Sequence, residues 1–307
     1  MPKLQSASQT RPRQGAPVAM GQAAGLQGLV PGRPVRVVSV TGGKGGVGKT
    51  NVSLNLSIAL AELGQDVLLL DADLGLANVD VLLGLRPALN LSHVMDGEAM
   101  LRDVVIEGPA GVRIIPSASG MHRMAALSSA EHVGLIHAFG ELGHHLDTMI
   151  IDTAAGISDS VTMFTKAAQE IVVVVCDEPA SLTDAYALIK VMHRDHDRDR
   201  FRVICNMCRT ADEGRNLYSK LFRVCERYLD ISLDYMGAIP YDERLRKAIQ
   251  MQRAVVDAYP ASKSGQAFKK LAAAADRWPV PGEASGRLEF FVERLIHSGR
   301  MGEENQA

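Results

Sequence analysis

Residues 41–51 read TGGKGGVGKTN, with Lys44 and Lys49 standing in a run that is otherwise almost all glycine. Gly43, Gly48, Lys49 and Thr50 fit G-x-x-x-x-G-K-[ST]. The motif follows an apolar run, RVVSVTG (36–42), and precedes an amphipathic one, 50–63. A strand before and a helix after is the context in which this motif has a mechanism. Glycines let backbone N–H groups curl around phosphate oxygens, and the helix N-terminus adds its positive end. Lys49 then reaches the β- and γ-phosphates, and the Thr50 hydroxyl binds Mg²⁺. A rival reading exists. Gly43, Gly45 and Gly48 also satisfy G-x-G-x-x-G, and Asp71 ends the next apolar run, where a ribose-binding acid stands in dinucleotide folds. The Gly-Lys-Thr ending decides between them, because a lysine and a hydroxyl there serve phosphate and metal.

Outward from this loop, apolar runs recur: DVLLLD (66–71), VRIIP (112–116), TMIID (148–152), EIVVVVC (170–176), FRVICN (201–206) and LDYMGAIP (233–240). They are short, rich in β-branched residues and mostly not alternating, as strands buried on both faces are. Amphipathic stretches such as 50–63, 183–194 and 214–229 lie between them. Strand–helix alternation predicts an α/β fold, a mostly parallel twisted sheet with helices on both faces. Residues 1–34 are rich in Gln, Ala, Gly, Pro and Ser and carry Lys3, Arg11, Arg13 and Arg33 with no acid, which predicts a disordered extension. The organisation expected is an extension over 1–34, a P-loop domain over 35–276, a linker over 277–286, an amphipathic helix over 287–300 and a tail over 301–307.

Composition narrows the partners. The chain has 307 residues, a formal net charge of −2 and 47% hydrophobic residues, an ordinary globular balance. No global basic field argues for nucleic acid, so direct DNA binding is not expected. Cys176, Cys205, Cys208 and Cys225 are too few and too scattered for a disulfide framework, which points to reduced thiols and a cytosolic setting. No run of about 18 apolar residues is present to span a membrane.

Two carboxylate clusters follow strands. The second apolar run ends in Asp71-Ala72-Asp73, a pair of acids two apart that suits metal handling and water positioning beside a phosphate. Either acid could instead cap the helix that follows. The run at 148–152 ends in Asp152-Thr153-Ala154-Ala155-Gly156, the Walker B pattern with its acid toward Mg²⁺. Gly156 has the place of a backbone sensor of the γ-phosphate. Asn206, at the tip of another strand, presents an amide that suits a base edge or a turn.

Lys44 has no part in the basic phosphate motif. The full string Lys44-Gly45-Gly46-Val47-Gly48-Lys49-Thr50, followed by Asn51, resembles the deviant Walker A loop of the MinD/ParA family of P-loop ATPases, and the resemblance covers roughly residues 35–275. It implies an ATP hydrolase with ATP or ADP and Mg²⁺ as cofactors, slow and stimulated by dimerisation or partners. It implies a homodimer when ATP is bound, with ATP between the subunits and Lys44 reaching the partner's phosphates. Asp73 then matches the acid that orients the attacking water, Asp71 sits nearer the metal with Thr50 and Asp152, Asn206 bonds adenine, and Pro240 flanks it. Where the family commonly has Pro, this chain has Ala154, which leaves the second switch less stiff.

Segments 152–158 and 177–191 (DEPASLTDAYALIKV) look like those of the flagellar number regulators of this family, the FlhG/FleN group. The resemblance implies control of flagellar number or placement. The partners implied are an FlhF-type GTPase, a FleQ-type transcription activator and flagellar C-ring proteins. The location implied is cytoplasmic, peripheral on the inner face of the cell membrane at the flagellated pole. The group's D-Q-A-x-x-L-R activating motif is matched by Gln22, Ala23 and Leu26, while Gly21 and Gln27 replace its Asp and Arg. The sequence GRLEFFVERLIHSGR (286–300) places Leu288, Phe291, Val292, Leu295 and Ile296 on one helical face, with arginines alongside. That face fits a membrane surface or a partner, and it also fits docking back on the domain.

Three other readings remain. A cell-division MinD shares the ATPase and the helix. A DNA-partitioning ParA needs basic patches on the dimer. An iron–sulfur carrier would use Cys205-x-x-Cys208, but that pair stands alone in the chain and Cys205 sits inside a strand, so packing is the expected role. HRDHDRDR (193–200) reads as a solvated loop of balanced charge.

Overall fold

The computed structural model describes residues 34–73, 78–116, 129–143, 145–279 and 288–304, which belong to one compact unit. In chain order the elements are β1 (Arg36–Thr41), α1 (Lys49–Ala61), β2 (Val67–Ala72), α2 (Val79–Leu83), α3 (Leu91–Met95), α4 (Leu101–Val104), β3 (Ile106–Glu107), β4 (Arg113–Ile115), α5 (Ser129–Gly143), β5 (Thr148–Thr153), α6 (Asp159–Ala167), β6 (Glu170–Val175), α7 (Pro179–His196), β7 (Arg200–Cys208), α8 (Ala211–Tyr228), β8 (Ser232–Pro240), α9 (Glu243–Gln250), α10 (Val255–Ala258), α11 (Lys263–Asp276) and α12 (Leu288–Glu304).

The strands form one eight-stranded sheet in the order β3-β4-β2-β5-β1-β6-β7-β8. Every neighbouring pair is parallel except β3 with β4. Period-two alternation sorts each strand's side chains to two faces. Val38, Val40, Leu69, Ile150, Val172 and Val174 point into one core, shared with α1, α10 and α11. Val37, Leu68, Leu70, Met149 and Ile151 point into another, beneath α5, α6 and α12. On the same side of the sheet, Val173, Val175, Val203 and Cys205 pack under α7 and α8. Both faces are therefore apolar, which is why the strands read as near-continuous hydrophobic runs.

β1 lies between β5 and β6. The chain leaves β1 through α1 toward β2 on one side and later crosses from β5 through α6 to β6 on the other. The carboxyl end of β1 is therefore the switch point of the sheet, where an open α/β fold places its ligand. The glycine loop begins there.

The C-terminal helix packs on α5 and α6. Leu288, Phe291, Val292, Leu295 and Ile296 are buried in the core beneath it, none more than 4% exposed. Of the fits open to this face, a membrane, a partner or the domain itself, this structure has it packed on the domain. The linker ahead of α12 starts from a fixed point: Arg36 donates to the Trp278 carbonyl at 2.8 Å, and the Arg202 guanidinium lies 4.0 Å from the Trp278 ring centroid.

Candidate functional site

Between β1 and α1 the chain must turn sharply without side chains in the way. Gly46 and Gly48 take left-handed backbone angles, φ 80° and 92°, a region that glycine enters freely. Gly43 is required for another reason: a Cβ there would lie 2.1 Å from the Asp184 carbonyl carbon of α7. At Gly45 an added Cβ meets nothing within 4 Å, so this part of the loop faces open space. Val47 is buried and pins the loop to the core. Asn51 continues the first turn of α1, its carbonyl accepting from Asn55 Nδ2 at 2.8 Å.

The two lysines have different surroundings. Lys49, the first residue of α1, is 8% exposed, with Nζ 3.4 Å from the Lys44 carbonyl oxygen. Burial pulls its pKa below the ordinary lysine value, against the opposing charges of Asp152 and Asp73. An ammonium held this way gains from a phosphate that replaces its lost water. The side chain of Lys44 is 37% exposed and ion-paired with Glu178, the residue that opens α7 ahead of Pro179. That partner holds the Lys44 pKa above its usual value.

Asp71 and Asp152 are register partners on adjacent strands, both 0% exposed. Burial raises Asp152 to about 7, helped by the charge of Asp71 and opposed by the Thr50 and Ser53 hydroxyls and by Lys49. Burial likewise raises Asp71 to about 6, against the amides that donate to it. Their hydrogen bonds differ. Asp71 Oδ1 accepts from the Asp73 amide at 3.1 Å, and its Oδ2 accepts from the amides of Asn78 at 3.1 Å and Val79 at 3.2 Å. Both oxygens are committed, and one carboxylate grips both ends of the segment after β2. Of the two roles expected of this acid, its bonds to the amides that open α2 fit the cap, and its place beside Asp152 fits the metal.

Asp152 Oδ1 accepts from Ser53 Oγ at 2.9 Å, whereas Oδ2 is buried with no hydrogen-bond partner among the described groups. An uncommitted, buried carboxylate oxygen beside the Thr50 hydroxyl is a donor set for a hard divalent cation. The residues present therefore fit Mg²⁺.

Beyond β5, Gly156 has φ 94° and donates its amide to the Gly42 carbonyl at 3.1 Å, tying the second switch to the loop. Asn206 is 3% exposed rather than open to solvent. Its Nδ2 donates to the Val47 carbonyl at 2.8 Å and its Oδ1 accepts from the Met207 amide at 2.9 Å. It thus ties β7 to the glycine loop, because β7 runs on to Cys208 and carries Asn206 inward beneath Gly48. Pro240 ends the neighbouring strand β8, opposite Cys208.

Several contacts were not apparent from motifs. Ser53 and Asp152 are 99 residues apart, and Lys44 and Glu178 are 134 apart. Ser53 carried one usable signal, its position one helical turn beyond Lys49 and Thr50 on the same face. The four cysteines are free and buried. Burial raises Cys205 to about 12 and Cys208 to about 11, values that suit packed thiols. Among the described residues no group of three or more His, Cys, Asp or Glu side chains is placed to hold a metal, and no helix is long and apolar enough to cross a membrane. Gln22, Ala23 and Leu26 lie outside the described residues.

Comparison with known proteins agrees with this geometry. The ParA family, described as "NUBPL iron-transfer P-loop NTPase", matches residues 34–275. The chain is 59% identical over 269 residues to the antiactivator FleN of Pseudomonas aeruginosa, covering 88% of this chain and 96% of that protein. It is 34% identical to the flagellum site-determining protein YlxH of Helicobacter pylori, over 77% of this chain and 80% of that one. Among solved structures, the septum site-determining protein MinD complexed with Mg-ADP from Pyrococcus horikoshii matches with a TM-score of 0.62 and 27% identity, over 79% of this chain and 96% of that chain.

Proposed function

We propose a function from one premise: the chain belongs to the MinD/ParA family of P-loop NTPases and, within it, resembles the FlhG/FleN regulators. It is an ATP-dependent switch that controls flagellar number or placement. Mg-ATP binds at the carboxyl end of β1 and draws two subunits together, and hydrolysis releases them. The observation that carries this reading is the unequal burial of the two lysines. Lys49 is enclosed beside the carboxylates of its own site, while Lys44 stands at the exposed rim on a single ion pair.

Mechanistically, the loop amides and Lys49 hold the β- and γ-phosphates. Thr50 and Asp152, with Asp71 beside them, would hold Mg²⁺, which would neutralise charge on the phosphates. Asp73, whose amide is held by Asp71, orients the attacking water. Lys44 exchanges Glu178 for the phosphates of the facing subunit, so its charge is used once the dimer has formed. Asn206 fixes the loop against β7, and adenine lies past the carboxyl ends of β7 and β8, beside Asn206 and Pro240. Identity to an antiactivator supports inhibition of a FleQ-type activator as one output. Activation of an FlhF-type GTPase through Gln22, Ala23 and Leu26, and contact with C-ring proteins, are further outputs. Docking at the inner membrane surface at the flagellated pole requires α12 to leave the core it fills here.

The test is a strain lacking the gene, viewed by electron microscopy and complemented with wild type or with Asp73→Ala. Excess or misplaced flagella, restored by wild type, support the reading. Minicells with normal flagella would contradict it in favour of cell-division control.

A further inference from the structure

We infer that Gln252, on the turn between α9 and α10, is a positioning residue for Asp73 and the stretch that follows β2, the first switch of the site. The inference rests on the role of Asp73 proposed above.

Helix α2 has five residues, too few to persist without outside support. Its N-terminal amides, those of Asn78 and Val79, are held by Asp71, which also holds the amide of Asp73. The set of α2 is therefore linked through one carboxylate to the set of Asp73. Val79 anchors the helix in the core. At the other end, Gln252 Nε2 donates to the Val81 carbonyl at 3.1 Å across 171 residues of sequence. A Cβ added at Gly84, the residue that ends α2, would lie 2.8 Å from Gln252 Oε1, so the glutamine also closes over that end.

The backbone at Gln252 gives the second observation. Helix α9 ends with the Gln252 amide donating to Ile249 and the Arg253 amide donating to Ala248, and Gln252 has φ 53°. The left-handed position after a helix favours glycine, because a side chain there costs conformational energy. This chain keeps a glutamine at that position and uses its amide to hold α2. Position 252 thus gives up some backbone stability for a contact with the helix that leaves the first switch. The turn itself is well fixed: Arg253 pairs with Asp257, and α10 hangs from α1 through Val256 N–H donating to Asn55 Oδ1 at 3.2 Å. The clamp therefore joins α2 to a rigid part of the domain.

The proposal makes stability and activity move in opposite directions. The full chain carrying Gln252→Gly relieves the backbone and drops the clamp. Backbone relief, less the lost hydrogen bond, is expected to raise its melting temperature by about 1 °C. Its kcat for Mg-ATP is expected to fall by about threefold, the worth of one exposed hydrogen bond, with KM unchanged. Gln252→Glu, which cannot donate to the carbonyl, should lose the same activity without the gain in stability. In both variants, deuterium exchange at the amides of 79–83 should quicken with ADP and with a non-hydrolysable ATP analogue. A glutamine that serves structure alone quickens this exchange when replaced but leaves kcat at the wild-type value, and wild-type kcat in both variants overturns the inference. If the wild-type chain hydrolyses no ATP, the reading of Asp73 fails, and the exchange rates still decide whether the clamp exists.

Discussion

At the glycine loop the fold buries charge, and beneath α12 it buries hydrocarbon. Lys49, Asp71 and Asp152 are at most 8% exposed and each has its pKa displaced by burial. The apolar face of α12, Leu288, Phe291, Val292, Leu295 and Ile296, is just as enclosed and carries no charge, although the same helix also buries Glu289 and part of Arg294, whose pKa burial lowers. Buried charge costs stability until a ligand of opposite sign arrives. Buried hydrocarbon is already stabilising, at about 1.5–3 kcal/mol for each large side chain. The loop thus gains contacts from Mg-ATP, whereas the apolar face of α12 is already covered by the domain. A membrane or partner that takes α12 must replace contacts the domain already supplies, whereas nucleotide supplies contacts the loop lacks.

The largest effect should come from Lys49→Ala. Removing the enclosed ammonium should weaken ATP binding by about 100-fold or more, read by calorimetry. A loss of less than tenfold breaks the claim that this charge awaits a phosphate. Next, Phe291→Ala should destabilise the chain by about 3 kcal/mol in denaturant titration, the ordinary cost of emptying a core aromatic site. A change under about 1 kcal/mol means that α12 spends its time off the domain in solution, and the contrast drawn above fails on that side.

Titration provides a third handle. The folded-state pKa values of Asp152 and Asp71, about 7 and about 6, lie above the ordinary aspartate value. The folded state therefore binds more protons than the unfolded chain between roughly pH 4 and pH 7. Stability of the nucleotide-free protein should fall by several kcal/mol as pH rises through that window, and level off above it. Asp152→Asn should flatten the fall. The smallest effect is expected of Ser53→Ala, which removes the donor to Asp152 Oδ1. About 1 kcal/mol, or roughly fivefold in affinity for Mg-ADP, should be lost while binding of ADP with chelator changes little.

Much of this was legible in the chain. Buried parallel strands announced themselves as unbroken apolar runs, and the loop motif located the switch point. β3 escaped because Ile106–Glu107 is two residues long and antiparallel. α2, α3 and α4 escaped because helices of four or five residues carry no period. β7 runs past Asn206 to Cys208, which turned an expected open amide into a buried tie. The apolar face of α12 could be read residue by residue, but amphipathicity records only that a face is covered, and α5 and α6 became its partners through folding. Contacts such as Lys44 with Glu178 join residues that no local pattern relates.

The central claim is that ATP joins two subunits through Lys44. Light scattering of the full chain with Mg-ATP tests it, using Asp73→Ala to block hydrolysis, with and without Lys44→Ala. Asp73→Ala alone should be a dimer with ATP and a monomer with ADP. The double variant should still bind ATP and stay monomeric. A double variant that dimerises as readily as the single one would contradict the account.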